Sequence, residues 1–311
     1  MHQNRWKMAL NRRNFIVQST AFGVGMTLIP SMLIQAKKDY RSITILHTND
    51  THSQIDPFPD THKFHAHKGG VVNRAKQIDL IRQEVKNVLL LDAGDVFQGT
   101  PYFNRFLGHL EMQVMQAMGY DAMTMGNHDF DIGIEGFEDA YRKNASFPII
   151  CSNYDFSDTS ISDLVKPFHV FAKNEIKIGV FGLGIELKGL VGLKHYAGTQ
   201  YLDPIKIAKE QVKILRDDLK CDLVICLSHL GYKYENDKVS DRIIAQNIDG
   251  IDLIIGGHTH TFLRKPEMIL REDKGQTLVN QVGFAGINLG RVDFVLADKK
   301  VRSKQRLIEI Q

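Results

Sequence analysis

Short apolar or β-branched runs alternate with amphipathic stretches along most of this chain. Runs at 42–48, 87–92, 122–125, 148–152, 170–173, 177–182, 223–228, 253–256, 277–282, 291–297 and 302–310 are bounded by turn residues, which predicts strands. Helical spacing predicts helices over 71–85, 111–118, 134–143, 204–219 and 239–246. In the first, Val72, Ala75, Ile78, Asp79 and Arg82 recur at helical spacing, with charges on the other face. Asp203 before Pro204 supplies a cap and a proline suited to a first helical position. Asn174-Glu175 between two strand runs reads as the turn of a hairpin. Strands alternate with helices until about residue 275 and then follow one another alone. The pattern predicts an α/β protein whose mixed sheets are finished by antiparallel strands. No repeat or linker-like shift of composition interrupts residues 37–311, which read as a single domain.

Composition narrows this picture without changing it. The 311 residues are 43% hydrophobic and 24% charged, which excludes a disordered tail, a collagen and a polytopic membrane protein. A chain of this size buries enough apolar surface to fold without disulfides. The net charge of +3 is unevenly placed. Arg5, Lys7, Arg12 and Arg13 stand in residues 1–36 with no acid; removing these four from 39 basic residues leaves 35 against 36 acidic ones. A near-neutral body offers no electrostatic footprint for a nucleic acid duplex. The basic segment resembles a twin-arginine export signal of bacteria: Arg12-Arg13-Asn14-Phe15-Ile16 precedes a weakly apolar stretch ending at Ala36, before Lys37-Lys38. Pro30 and the scattered Gln18, Ser19 and Thr20 argue against a transmembrane anchor. The expectation is an exported, periplasmic protein, folded before export, with no stable membrane insertion once residues 1–36 are cleaved. Cys151, Cys221 and Cys226 cannot pair completely and read as small core hydrophobes.

Residues of metal-binding type stand at the ends of the predicted strands. Asp50 and His52 follow the first, Asp95 the second, and Asn127, His128, Asp129 and Asp131 the third. His229 ends the run 223–228, and His258 and His260 follow the next. In open α/β sheets the carboxyl ends of the strands line the ligand crevice, so these groups converge there. Imidazole and carboxylate donors without thiolate suit Zn, Mn or Fe. Glycines beside them let the backbone turn sharply and approach closely.

The order Asp-x-His, Gly-Asp, Gly-Asn-His-Asp, His and Gly-His-x-His resembles the calcineurin-like metallophosphoesterases. Ile45–His52 and Gly126–Asp131 resemble more narrowly their 5′-nucleotidase branch. The resemblance implies a four-layer α-β-β-α sandwich of two mixed sheets. It also implies two divalent cations, one held by Asp50, His52 and His260, the other by Asn127, His229 and His258, with Asp95 bridging. His128 resembles the family's catalytic histidine and Asp131 its partner. The implied reaction is hydrolysis of a phosphate monoester, as in nucleotide catabolism, by a hydroxide bridging the two metals, with His128 as general acid. Two cations lower the pKa of such a water from 15.7 towards about 7, and a carboxylate orients and charges the histidine that protonates the leaving oxygen.

Other polar residues carry blander readings. Asp92 and Asp129 read as caps or turn residues outside the ligand set, and His47, within an apolar strand, as a hydrogen-bonded core histidine. His62, His65 and His67 fall in a polar loop with Lys63 and Lys68 and no suitably spaced carboxylate, so a solvated loop is expected there. His109, His169 and His195 match no motif. No phosphate-binding loop, nucleophile elbow or His-Glu-x-x-His helix is present.

Exported 5′-nucleotidases of this family grip the nucleoside with a second, C-terminal domain, stacking its base between aromatic rings. Here residues 277–310 read as closing strands, so no C-terminal nucleoside-binding domain is expected in this sequence. Three outcomes follow: a separate polypeptide supplies that domain, small phosphate monoesters and nucleotides are accepted with little discrimination, or the substrate is a different ester, such as a cyclic nucleotide or a sulfur-containing acid. Two alternatives accompany the leading reading: a thiosulfohydrolase-type dimetal hydrolase of sulfur oxidation, which also combines this fold with a twin-arginine signal, and a binding subunit needing a separate recognition chain.

Overall fold

The computed structural model describes residues 40–272, 275–297 and 300–311; the predicted export segment, residues 1–36, lies outside them. In chain order the strands are β1 (Arg41–Thr48), β2 (Val88–Asp92), β3 (Ala122–Met123), β4 (Ile149–Ile150), β5 (Tyr154–Asp155), β6 (Val165–Lys166), β7 (Phe168–Lys173), β8 (Ile176–Leu183), β9 (Gln200–Tyr201), β10 (Leu223–Ser228), β11 (Leu253–Gly256), β12 (Glu267–Leu270), β13 (Gln276–Asn280), β14 (Asn288–Ala297) and β15 (Lys300–Glu309). The helices are α1 (Val71–Glu84), α2 (Pro101–Phe106), α3 (His109–Met118), α4 (Gly133–Asn144), α5 (Pro204–Lys213) and α6 (Asp241–Asn247).

Two mixed sheets result. One has the order β15-β14-β1-β2-β3-β4-β6, the other β12-β13-β11-β10-β8-β7, and β5 and β9 form a small pair apart. In the first sheet β1, β2, β3, β4 and β6 run parallel, β14 is antiparallel to β1, and β15 is antiparallel to β14. In the second β8, β10, β11 and β13 are parallel, with antiparallel β7 and β12 at the edges.

The two-residue alternation of strand side chains builds the layers. Ile43, Ile45, Leu89 and Leu91 point into a core between the sheets, where they meet Val180, Ile225, Leu227 and Ile255. Leu46 and Leu90 point the other way, onto Ile78 and Ile81 of α1, Met112 and Met115 of α3 and Phe137 of α4. The far face of the second sheet packs Phe181, Val224 and Cys226 against Ala208 and Val212 of α5 and Ile244 of α6. The order of layers is therefore helix, sheet, sheet, helix, as the resemblance implied. A strand covered on both faces reads as an unbroken apolar run, which is why all five residues of β2, Val-Leu-Leu-Leu-Asp, are buried. Each such Leu or Ile contributes roughly 1.5–3 kcal/mol.

Several expectations are refined. Asn174 and Glu175 both adopt positive φ between paired Lys173 and Ile176, the two-residue hairpin turn read from the sequence. Asp203 caps α5, its carboxylate accepting from the amides of Ile205 and Lys206. The stretch expected as one helix to 219 opens into a π-helical turn at Ile214–Asp218. In α1 the buried face is Arg74, Ile78 and Ile81, while Val72 is 77% exposed. Apolar residues at 71, 72, 75, 78, 80 and 81 surround that helix, so spacing alone leaves its inward face open. The short β5, β6, β9 and β12 and the single-turn α2 carry no periodicity long enough to read. All three cysteines are free and buried, and His47 is buried with Nε2 2.9 Å from Asn280 Nδ2. Among the described residues no helix is long and apolar enough to cross a membrane.

Candidate metal centre

The parallel strands of both sheets end at one crevice, and the seven candidate ligands together with His128 and Asp131 lie on the loops that leave them. Thr48 of β1 pairs with Asp92 of β2, so the loops bearing Asp50 and Asp95 leave side by side. The loop after β3 brings Asn127, His128 and Asp131; β10 ends just before His229; the loop after β11 brings His258 and His260.

Five of these side chains sit on left-handed backbone: Asp50 (φ 50°), His52 (φ 46°), Asp95 (φ 57°), His258 (φ 73°) and His260 (φ 51°). Such conformations cost on the order of 1–3 kcal/mol each in non-glycine residues and persist where surrounding contacts hold them. Here the contacts are identifiable. The Asp50 amide donates to the Gly94 carbonyl at 2.9 Å, that of His52 to Asp95 at 3.1 Å, and that of Ala285 to Asp50 at 2.7 Å. Gly126 is needed for close approach: a Cβ there would lie 2.2 Å from Asp95 Oδ1.

Two groups of donors form. Asp50, His52 and His260 bring one donor atom each within 4.8 Å of one another, and Asp95, His229 and His258 do the same. In the first, His260 Nε2 lies 3.0 Å from His52 Nε2 and 3.3 Å from Asp50 Oδ1. In the second, His229 Nε2 lies 3.0 Å from Asp95 Oδ2, and Asn127 Oδ1 meets His258 Nδ1 at 2.8 Å. The groups adjoin, because Asp95 Oδ2 is also 3.9 Å from His52 Nε2 and Asp50 Oδ1 is 3.9 Å from His229 Nε2.

The donor set fits cations. His229 Nδ1 lies 2.6 Å from the Ala93 carbonyl oxygen, which can only accept, so Nδ1 carries the proton and Nε2 presents its lone pair. That Nε2 is buried, makes no hydrogen bond, and faces a carboxylate oxygen. Two lone pairs so placed repel unless positive charge lies between them. Burial opposes charging His229, yet the carboxylates of Asp95 and Asp50 outweigh it and drive its pKa upward. The Phe97 carbonyl, 3.2 Å from His52 Nδ1, fixes that ring in the same way. Burial lowers the pKa of His52 and His258, favouring the neutral imidazole that ligates.

At the rim His128 Nδ1 donates to Asp131 Oδ2 at 2.8 Å, while the His128 amide donates to Asp95 Oδ1 at 2.8 Å. The Asp131 carboxylate raises the His128 pKa against the pull of partial burial, with Asp95 adding to the effect. The ring stands 5.4 Å from that of His52.

The supporting residues include two that read as caps, Asp129 and Asp92, and others that escaped the sequence reading. Asp129 is buried and its carboxylate accepts from the amides of Asp95, Val96 and Gly126 at 2.8–3.0 Å, clamping two loops together. Asp92 stays a cap, taking the Gly94 amide at 2.8 Å and the Thr48 hydroxyl at 2.5 Å. Asn49 accepts from the Val282 amide and donates to the Gly283 carbonyl and to Asp50 Oδ2. Gln281 links the Gly257 carbonyl to Thr259 and Thr261. Asp92 and Asp129 carried the signal of a cap and Asn49 stood beside Asp50 in its motif, whereas nothing in the sequence pointed to Gln281. His62 accepts from the His65 amide at 3.0 Å, and both rings sit in an aromatic cluster with Phe58 rather than loose in solvent.

The family model for calcineurin-like phosphoesterases matches residues 43–262. A 5′-nucleotidase of Diplobatis ommata is 37% identical over 226 residues, covering 71% of this chain and 38% of the relative. Among solved structures, a 5′-nucleotidase precursor from Thermus thermophilus aligns with a TM-score of 0.77 at 29% identity, covering 86% of this chain and 54% of that one. The sulfate thiohydrolase SoxB of the same organism aligns with a TM-score of 0.72 at 18% identity, covering 86% of this chain and 56% of that one, a likeness of fold. The chain thus spans between a third and three-fifths of the length of these proteins.

Proposed function

The chain belongs to the calcineurin-like phosphoesterase family, and from that premise we propose that it hydrolyses phosphate monoesters of the 5′-nucleotide kind. Asp50, His52 and His260 would hold one divalent cation and Asn127, His229 and His258 a second, with Asp95 shared between them. The nitrogen and oxygen donors suit Mn, Zn or Fe. Two such cations, when bound, polarise a phosphoryl oxygen and make water acidic enough to attack near neutral pH. The protein's part is positioning and proton supply. Asp131 accepts the Nδ1–H of His128 in a hydrogen bond, which leaves Nε2 to carry a second proton at a raised pKa. That proton goes to the leaving oxygen as the ester bond breaks, and the carboxylate steadies the ring before and after. The observation that carries this reading is the pairing of two cation-seeking groups with one carboxylate-backed histidine at their edge.

Release of phosphate from AMP by the full chain is expected to require Mn or Zn. Asp95→Ala should lose both metal and activity. His128→Ala should keep the metal by elemental analysis and lose about 10²–10⁴ in kcat. Activity surviving both substitutions overturns the proposal. The thiosulfohydrolase alternative rests on fold likeness, and sulfate release from a thiosulfonated carrier with none from AMP would favour it. We place the protein outside the bacterial inner membrane by its twin-arginine segment, with a separate nucleotidase-like chain as the cover for the crevice; cell fractionation and co-purification test these two points.

A further inference from the structure

Next to the loop that carries His52 lies a buried pair of charged side chains that the proposed chemistry does not use. Arg74 of α1 and Glu111 of α3 are each 3% exposed. Both line a cavity of about 10 Å³ whose wall also includes Thr51, Ser53, Val96 and Met115. The guanidinium Nε and Nη1 and the carboxylate Oε2 are buried there and hydrogen-bonded to no described residue. Buried polar groups are seldom left so, and three of them around one small space call for a partner they share.

The surroundings are built for these groups. Gly286 makes room for the guanidinium, since a Cβ there would lie 2.0 Å from Arg74 Nη1. Asp92 is close enough to feel the Arg74 charge, but its oxygens take the Thr48 hydroxyl and the Gly94 amide instead. Glu111 uses Oε1 to accept from the Ser53 hydroxyl, which leaves Oε2 for the cavity. Size and charge then select the occupant. The volume suits about one water. An ion of either sign would meet one like charge on the wall, whereas water can accept from Arg74 and donate to Glu111.

We infer that a single ordered water bridges Arg74 to Glu111 in this cavity, and that the bridged pair positions His52 through Ser53. The inference rests on the reading of His52 as a metal ligand. Ser53 is gripped at three points: Glu111 accepts its hydroxyl proton, the Val96 carbonyl its amide at 2.8 Å, and the Thr100 hydroxyl donates to its carbonyl at 2.7 Å. His52 and Ser53 are both left-handed, at φ 46° and 53°. Such backbone persists only while its contacts hold it. The water fixes the second oxygen of Glu111, and with it the aim of the first at Ser53. Helices α1 and α3 thereby set the turn from which the imidazole reaches the crevice.

The test uses the full chain and needs no turnover. A high-resolution crystal structure should show the water within hydrogen-bond distance of Arg74 and Glu111. Titration with Mn against a chelating dye should resolve two cations. Glu111→Ala should weaken one of them about 10–100-fold and leave the other unchanged. Arg74→Met should act in the same direction, whereas Glu111→Gln, which still accepts from Ser53, should stay near the wild type. If far-ultraviolet circular dichroism shows that Glu111→Ala and Arg74→Met do not fold, Ser53→Ala cuts the same link and should show the same selective loss. A cavity without the water, or with Arg74 bonded directly to Glu111, overturns the bridge. Equal loss of both cations, or loss of neither, overturns the positioning. A wild type that holds the water but binds no cation, with the His52 ring displaced in the Glu111→Ala crystal, upholds this inference and overturns the metal reading instead.

Discussion

Asp241 illustrates how much one buried carboxyl can bias the whole protein. Ser228 donates to its Oδ1 at 2.5 Å, its Oδ2 has no partner, and His229 and Asp50 are its charged neighbours. Burial pushes its pKa up to about 8, so the folded protein keeps a proton that the unfolded chain has already released. A raised carboxyl pKa makes stability greatest below about pH 4 as far as this group is concerned, and stability is lost as pH rises from there towards 8. In chelator-treated protein this group's share of the loss should approach about 1.4 kcal/mol per pH unit, measured by urea unfolding, and Asp241→Asn should lessen the slope by that share. An unchanged slope in that variant would place the titration elsewhere. Residues of this kind were the least legible in the sequence. Asp129 reads in the sequence as a local cap, and it does cap, but the amides it accepts from include those of Asp95 and Val96, more than thirty positions upstream. A carboxylate's type is visible in a sequence; the distant backbone that turns to meet it is not.

At the scale of elements the loops leaving the strands matter more than the strands. The nine residues chosen at strand ends do meet in one crevice, because parallel strands must release their chains at the same edge. Long apolar runs such as β2 and β10 were legible for the same reason that they are buried on both faces. Two-residue strands such as β5 and β9 were not, since pairing across more than forty residues defines them rather than any local pattern. The loops themselves depend on close approach. Gly126→Ala would drive a methyl to 2.2 Å from Asp95 Oδ1 and 2.6 Å from its amide, so the β3 loop must retreat from the carboxylate it helps position. Metal affinity, read by competition with a chelating dye, should fall about 10–100-fold while far-ultraviolet circular dichroism stays native. Unaltered affinity would mean that the loop yields freely.

For the whole molecule, the decisive arrangement is that each donor group draws on both sheets. Asp50 and His52 leave the first sheet and His260 the second; Asp95 leaves the first and His229 and His258 the second. A cation bound to either group clasps the two sheets together at the crevice. Removing metal with EDTA should therefore lower the melting temperature by about 5–10 °C, recovered on adding Mn or Zn. A melting point indifferent to chelation would count against both groups. The same arrangement bears on synthesis. Strand β1, emerging early, sits between β2 and β14, and Arg41 waits for Leu296 as its partner. A nascent chain still on the ribosome holds Asp50, His52 and Asp95 long before His258 and His260 exist, so partial chains can offer ions only half-sites. A chain that stops short of His258 lacks one donor from each group, so neither clasp can close until β11 and the loop after it have been made.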